Sequence, residues 1–486
     1  MNNKLQTYLN NGINYMQRGN LLSAEIDFKN ALKKFPNQHF LNTYLIPCLI
    51  QQKKYDEALR YAIPFHKNGT MLEHSSIYLG IIYFQTTQLI LALKYFDTAL
   101  SINSNNYDAL VNKAGVLHKL DKNSDAMMLL DKALNLNNNN SVAYRNYASI
   151  YEDELDFNQA EKYYFKALNI FPNDRESLFA LSHLQLSKKE YHQGWKNFEH
   201  RWYKEKFRYP NITRLKNLEG IQNKKILIWH EQGLGDTIQF SRYVRRLLEL
   251  GAKVVFEVQG PLVEFFLEQF NCEITNSPSN MEFDYQSPLL SLPGIFSNED
   301  KYFEFVGPYF TSSQEKKLFW NKELGLSSNK LNLGITISGN TEQIHEDRRK
   351  ISLSYFTKFK QSCKIFLIQK DISKENQDIL NHNKEIIFLG NNLSWQNFTD
   401  TSAILDNMDF LISVDTSIIH LAGSMNKESL LLLSKPAEWR WAQEDDQIPN
   451  WYHSVKILRQ KSRRNWDTIQ DDLEKTINDA TYKKFN

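Results

Sequence analysis

Ala24, Ala58, Ala92, Ala126 and Ala160 stand 34 residues apart, and Gly194 continues the series. Four places on come Phe28, Ala62, Phe96, Leu130, Tyr164 and Phe198, and seven on come Ala31, Phe65, Ala99, Ala133, Ala167 and Arg201. Twelve places before lie Gly12, Ile46, Gly80, Ala114, Ala148 and Ser182. A fixed period of this length leaves few folds open. Each unit is one supersecondary piece that cannot bury its apolar face alone, so neighbours must stack in line. The small and aromatic positions are therefore core positions, with Pro36 and Pro172 closing two of the units. Gly194 and Arg201 depart from the pattern, as a terminal unit that packs on something else would.

The pattern resembles the tetratricopeptide repeat, two helices per unit with small residues where they cross. That resemblance implies an α superhelix over about residues 5 to 208, a first domain of residues 1–208, and a polar groove that would hold a partner. Alone, it would make the chain an interaction protein.

From about residue 209 the helical period gives way to strands alternating with helices, the signature of parallel sheets. Expected strands are Lys225 to Trp229, Val254 to Val258, Glu273 to Thr275, Leu331 to Ile337, Ile365 to Ile368, Ile386 to Leu389, Phe410 to Val414 and Ser429 to Leu433. Expected helices are Asp236 to Leu250, Pro261 to Phe270, Leu353 to Gln361, Phe398 to Asn407, Asp415 to Ser424 and Trp466 to Lys484, the last returning to the first lobe. Tyr285 to Phe296 reads as a loop. Two such series predict two doubly wound, Rossmann-like lobes: residues 209–328, with a linker, and residues 329–486.

The first strand ends in His230-Glu231-Gln232-Gly233-Leu234-Gly235-Asp236. Strand, glycine loop and helix start together offer backbone N–H groups to an anion. Asp236 is either an ordinary cap of that helix or, held at a strand's carboxyl end, a base that removes a proton from an acceptor. Asp415-Thr416-Ser417-Ile-Ile-His420 repeats the logic in the second series. Thr416 and His420 are spaced to share one helix face, so a diphosphate there would meet N–H groups, two hydroxyls and an imidazole; the other reading is a capped helix with a core histidine. Ser338-Gly339-Asn340 ends a strand, and the loop beyond it carries His345, Asp347, Arg348, Arg349 and Lys350, which reads equally as a phosphate clamp or as a solvated charge run. Gln369 and Lys370 follow the next strand on the same edge. Trp439, Trp441, Trp451, Tyr452 and Trp466 are either sugar-stacking faces or plugs between lobes.

Several classes drop out. A net charge of +2 gives no basic footprint for nucleic acid. Three scattered cysteines show no pairing or zinc spacing and suit a reducing compartment. No leader and no run of about 18 apolar residues is visible, so a cytoplasmic location without a transmembrane segment is expected. No aspartate pair flanked by strand residues suggests a metal-bound diphosphate, and no Walker A, GxSxG or HExxH motif occurs.

Gly233-Leu-Gly235-Asp236 after a first strand, with Asp415-Thr416-Ser417-x-x-His420-Leu-Ala late in the chain, resembles the heptosyltransferase-type glycosyltransferases of family 9. With the repeats ahead, the whole is similar to bacterial proteins that carry tetratricopeptide repeats before such a domain; Pro288 to Pro293 and Trp439-Arg-Trp441 add to the likeness. The resemblance implies two lobes of the GT-B type and metal-independent, inverting transfer of a sugar from a nucleotide diphosphate-sugar to a protein or glycan acceptor, possibly held by the repeat groove. It puts the acceptor on the first lobe and the donor on the second, makes Asp236 the base and Arg349 the neutraliser of the diphosphate, and lines the donor site with Asp415, Thr416 and a catalytic His420. Gly233, Gly235, Ser338, Gly339, Asn340, Gln369, Lys370 and Ser417 are expected to bind the donor from their places at strand ends. It implies no cofactor. Ser417 stands where such enzymes usually carry glycine. The rival reading is a scaffold with an inactive sheet region. A dinucleotide oxidoreductase is disfavoured, because the elbow lacks a third glycine and no acid ends the second strand.

Overall fold

A computed structural model describes residues 3–203, 207–278, 282–297, 308–339, 346–435, 438–441 and 451–486. It divides into two compact units, 1–177 and 178–486; the boundary between them comes before the one expected at residue 208.

The first unit is a helical repeat array. Asn3–Gln17 pairs with Leu21–Lys34, Asn42–Gln51 with Tyr55–Lys67, Leu72–Gln85 with Leu89–Ile102, Tyr107–Lys119 with Asn123–Leu136, and Ser141–Asp153 with Phe157–Ile170. The residues that repeat are its core: Ala24, Phe28, Ala58, Ala62, Ala92, Phe96, Ala126, Leu130, Ala160 and Tyr164 are at most 1% exposed. Volume is balanced within each pair. A Cβ on Gly12 would fall 2.4 Å from the Phe28 ring, and one on Gly80 would fall 2.6 Å from the Phe96 ring. Where the second helix offers only Ala62, the first supplies Ile46, and Leu130 is matched with Ala114, all at most 1% exposed. Interiors at crystal-like density demand this trade.

A second feature shares the period. Gly19, Lys53, Thr87, Asp121, Leu155 and Lys189 all have positive φ, between 58° and 74°. Each closes the first helix of its unit. At the third, the Thr87 N–H donates to the Phe84 carbonyl at 3.1 Å and the Gln88 N–H to the Tyr83 carbonyl at 2.8 Å, the paired bonds of a Schellman ending. Only Gly19 is a glycine, which is why this signal is silent in the sequence.

The second unit begins with the sixth helix pair, most of Arg175–Ser187 and all of Tyr191–Phe198, and continues into two sheets. Strands β1 Lys225–Trp229, β2 Lys253–Glu257, β3 Glu273–Thr275 and β4 Tyr285–Pro288 form the first, in order β3-β2-β1-β4. Strands β5 Leu331–Thr336, β6 Cys363–Leu367, β7 Ile387–Phe388, β8 Phe410–Val414, β9 Ser429–Leu433 and β10 Val455–Arg459 form the second, in order β10-β9-β8-β5-β6-β7. Every pairing is parallel. All five residues of β8 and of β9 are buried, as strands covered on both faces must be. Counting strands within each sheet, the orders are 3-2-1-4 and 3-2-1-4-5-6, with reversals between β1 and β4 and between β5 and β8. In such sheets ligands bind outside the strands' carboxyl ends at the reversal.

One core runs from Ile226, Ile228 and Phe256 of the first sheet to Phe366, Leu411 and Leu431 of the second, taking in Trp195 and Phe198 of the sixth helix pair. The sixth unit's departures follow from this. Trp195 abuts Gly294, where a Cβ would lie 3.2 Å from its own. Arg201 leaves the helix crossing to bind Glu231 and Ser291.

Four expectations need correction. Tyr285–Pro288 is a strand, not a loop; it is short and ends in proline, so it shows no alternation. The expected helix from Asp236 is two, Leu234–Phe240 and Arg242–Glu249, meeting at Ser241. The segment Leu353–Gln361 is a 3-10 helix. The C-terminal helix, Gln470–Phe485, does not return to the first sheet: Leu473 and Ile477 pack in the core against β5 and β8, and Lys484 binds Asp409 at 2.6 Å. Strand β10 and the helix Gln314–Leu324 were not read at all. No helix among the described residues is long and apolar enough to cross a membrane.

Candidate functional site

Asp236 lies just past β1 and Asp415 just past β8, so each stands at the reversal of its own sheet. Gly233 caps the helix Leu234–Phe240 with ordinary backbone, φ −84°. The Asp236 Oδ2 accepts the Gly233 N–H at 3.0 Å. The other oxygen accepts Arg440 Nη2 at 2.6 Å, from 204 positions away in the chain. Both partners are nearly dry, the side chains 15% and 8% exposed. Burial pushes the Asp236 carboxyl above the ordinary aspartate range, and Arg440 pulls against that rise. Arg440 also binds Glu438. Its own acidity falls because the charges of Glu438, Asp236 and Asp415 outweigh its burial.

Asp415 is 8% exposed. Burial, helped by the charge of Glu438, lifts its carboxyl to about 6, while Arg440 and Arg349 work the other way. Arg349 Nη1 donates to the Asp415 carbonyl at 3.2 Å, and Arg348 is 9% exposed. Arg349 is therefore docked against the Asp415 turn, while Lys350 beside it is exposed.

The two helix starts pack on each other. A Cβ on Gly235 would lie 2.8 Å from the His420 ring and 3.5 Å from Ser417 Cα. Gly235 is thus a close-approach glycine. Gly233 has no such constraint, since a Cβ there would meet only the Asp236 carboxylate, at 3.3 Å.

His420 is 4% exposed. Its ring stacks on Trp441 with centroids 5.1 Å apart, and its Nδ1 lies 3.0 Å from the Tyr452 hydroxyl. Its Nε2 is 3.9 Å from Asp415. Burial drives its pKa well down, so the imidazole is neutral. The expectation that His420 faces a diphosphate is corrected here: the ring is core, closed off by Gly235, Trp441 and Tyr452. Thr416 is an N-cap whose hydroxyl accepts the Ile418 N–H at 3.3 Å.

Other expected donor-side residues serve the scaffold. Gln369 accepts the Ile337 N–H and donates to Ser338 Oγ, each at 3.0 Å, tying the ends of β5 and β6. Lys370 sits over the Trp395 ring at 4.1 Å and donates to its carbonyl. Ser338 and Gly339 are partly exposed beyond β5; Asn340 and His345 lie outside the described residues. Four of the five aromatics are buried, Trp441, Trp451, Tyr452 and Trp466 being at most 6% exposed, and Trp439 is half-buried. Among the described residues, no group of three or more His, Cys, Asp or Glu side chains could hold a metal ion.

Sequence reasoning missed Arg440 as a site residue. The signal was an arginine between two tryptophans, read for its aromatics. Trp439 stands against Trp195 at 5.4 Å, and Trp441 against His420, so the guanidinium between them is held at a fixed place.

No family model matches this chain, and no curated protein matches it. Solved structures similar to it include a tetratricopeptide repeat protein from Parabacteroides merdae, at 19% identity over 42% of this chain and 81% of that one, with a TM-score of 0.32. A tetratricopeptide repeat protein of Thermus thermophilus gives 19% identity, 37% and 99% coverage, and a TM-score of 0.35. The Cut9–Hcn1 assembly of APC/C gives 16%, 41% and 40%, and 0.38. Likenesses this distant say nothing about the site.

Proposed function

We propose that this chain is an inverting, metal-independent glycosyltransferase. Its sheet region, built as two Rossmann-like lobes of the GT-B type, takes a sugar from a nucleotide diphosphate-sugar; its helical array holds a protein or glycan acceptor. The observation that carries this reading is the packing of the two reversal-point helix starts on each other, Gly235 against His420 and Ser417, with Asp236 paired to the buried Arg440. Asp236 would take the proton of the acceptor hydroxyl as that oxygen attacks the anomeric carbon from the face opposite the diphosphate. The bond to the diphosphate breaks, and Arg349 with the half-buried helix start at Thr416 and Ser417 would meet the growing charge. A carboxyl raised by burial is a better base near neutrality than an ordinary one. His420 holds the Asp415 turn in place.

The test is release of nucleoside diphosphate from a panel of sugar nucleotides. Asp236→Asn is expected to lower it by about 10²-fold or more with folding intact; unchanged release removes Asp236 from the base role. A scaffold with a silent sheet region is the second reading, favoured by the engagement of both Asp236 oxygens in this state. It predicts that no sugar nucleotide raises the melting temperature.

A further inference from the structure

We infer that Arg440 is a positioning residue for Asp236: it holds the carboxylate ionised and aimed while the fold keeps water away. As a role in turnover this rests on the glycosyltransferase reading; as a statement about the ion pair it does not. The geometry is a 2.6 Å contact with the partners 15% and 8% exposed. A carboxylate that dry reverts to the acid unless a cation stands beside it. Gly233 supplies one N–H bond at 3.0 Å and the Asp236 N–H adds a smaller contribution, and these neutral donors do not offset burial.

The surroundings make Arg440 hard to replace from elsewhere. Glu438, on the same turn, adds negative charge and raises Asp236 further. From the other elements come Asp415, itself raised; Arg349, which meets the Asp415 carbonyl; and His420, held neutral by burial. His183, from the sixth helix pair, feels both Glu438 and Arg440 and is pushed down to about 4, mainly by burial. Arg242 and Tyr452 stand behind His420, joined by a cation–π contact at 5.2 Å. Among these groups Arg440 alone touches Asp236. Its place is set by packing on both sides, Trp439 on Trp195 and Trp441 on His420, so a flexible ammonium does not reproduce it.

The experiment compares the pH dependence of unfolding in the full chain for Arg440→Gln and Asp236→Asn/Arg440→Gln, which isolates the Asp236 titration from that of Asp415. The Asp236 midpoint is expected to rise in Arg440→Gln by roughly one to three pH units over wild type, the latter read against Asp236→Asn. An unmoved midpoint overturns the inference. If Arg440→Gln does not fold, Arg440→Lys serves, with a smaller rise in the same direction. The activity arm is the acid limb of kcat/KM for sugar-nucleotide turnover. It should move up with the same midpoint, with the loss largest at low pH and partly restored at high pH; a uniform loss at every pH marks a merely structural role. A wild type without turnover sinks the glycosyltransferase reading and leaves the midpoint arm decisive for Arg440.

Discussion

In the array, the crossing partner of each repeating core residue lies in its own unit, ion pairs such as Lys29 to Glu57 reach only the next one, and the same partnership returns every 34 positions. In the sheet region, the contact that matters most joins Asp236 to Arg440 across 204 positions. The first arrangement builds stability from repeated local terms. The second depends on one long-range meeting that only the finished fold produces. Substitutions in the array should therefore have graded, rescuable effects, whereas those at the meeting point should act together.

The largest expected contrast is in acid and base. Glu152 in the array is half-buried and accepts the Tyr164 hydroxyl at 2.8 Å, and desolvation lifts it to about 7. A carboxyl raised above its unfolded value stabilises fully below that value and loses the benefit as pH climbs towards 7. His183, in the sixth helix pair that opens the second unit, is pushed down to about 4. Its contribution is complete above the unfolded value of 6.5 and is lost as pH falls towards 4. Measured as differences from Glu152→Gln and His183→Asn, the two terms should run in opposite directions across that range, each up to about 3 kcal/mol. Parallel slopes would show that desolvation does not set both shifts, since it favours the neutral form of acid and base alike.

Next comes the volume trade. Ala62→Leu should cost about 1–3 kcal/mol by overpacking, because Ile46 already fills the crossing. Adding Ile46→Ala copies the Ala114 and Leu130 pair of a later unit and should recover most of that loss in thermal unfolding. Additive losses in the double variant would mean the units are not interchangeable. At the elbow, Gly235→Ala should cost about 1–3 kcal/mol against the His420 ring, while Gly233→Ala should change stability by only a few tenths of a kcal/mol. Equal effects would break the distinction between a packing glycine and a tolerated one.

The same contrast explains what could be read in advance. The array was legible because its core positions recur: Ala24 to Ala160 announce the period, and Arg201 announces where it fails. Strands β1, β2, β5, β8 and β9 were legible as apolar runs. Strand β4 was not, because Tyr285–Pro288 is too short to alternate. At the site, Asp236 and Asp415 could be placed at strand ends from their local context. What surrounds them could not. That Gly235 makes room for His420, that His420 is core, and that Arg440 binds Asp236 are all facts of tertiary packing between segments far apart in sequence. A tryptophan–arginine–tryptophan run advertises rings, and the guanidinium between them was overlooked for that reason.

The last substitution pair tests the backbone most directly. Thr87 is exposed, β-branched and held at φ 60°, the same place in its unit where Gly19 has φ 74°. The left-handed conformation costs an L-residue roughly 1–2 kcal/mol that glycine escapes, whereas glycine gives up roughly 0.5–1 kcal/mol more chain entropy on folding. Thr87 also donates its hydroxyl to the Thr86 carbonyl at 2.7 Å, a bond that at an exposed site trades closely with water. The balance predicts that Thr87→Gly stabilises the array by about 0.5–1 kcal/mol, a rise of a few degrees in its unfolding midpoint. Gly19→Thr should do the reverse by a similar amount, since a Cβ there would meet nothing within 4 Å and only the backbone can object. If Thr87→Gly is neutral while Gly19→Thr is costly, the hydroxyl bond at Thr87 outweighs its backbone strain, and the six helix endings, alike in φ, differ in what holds them.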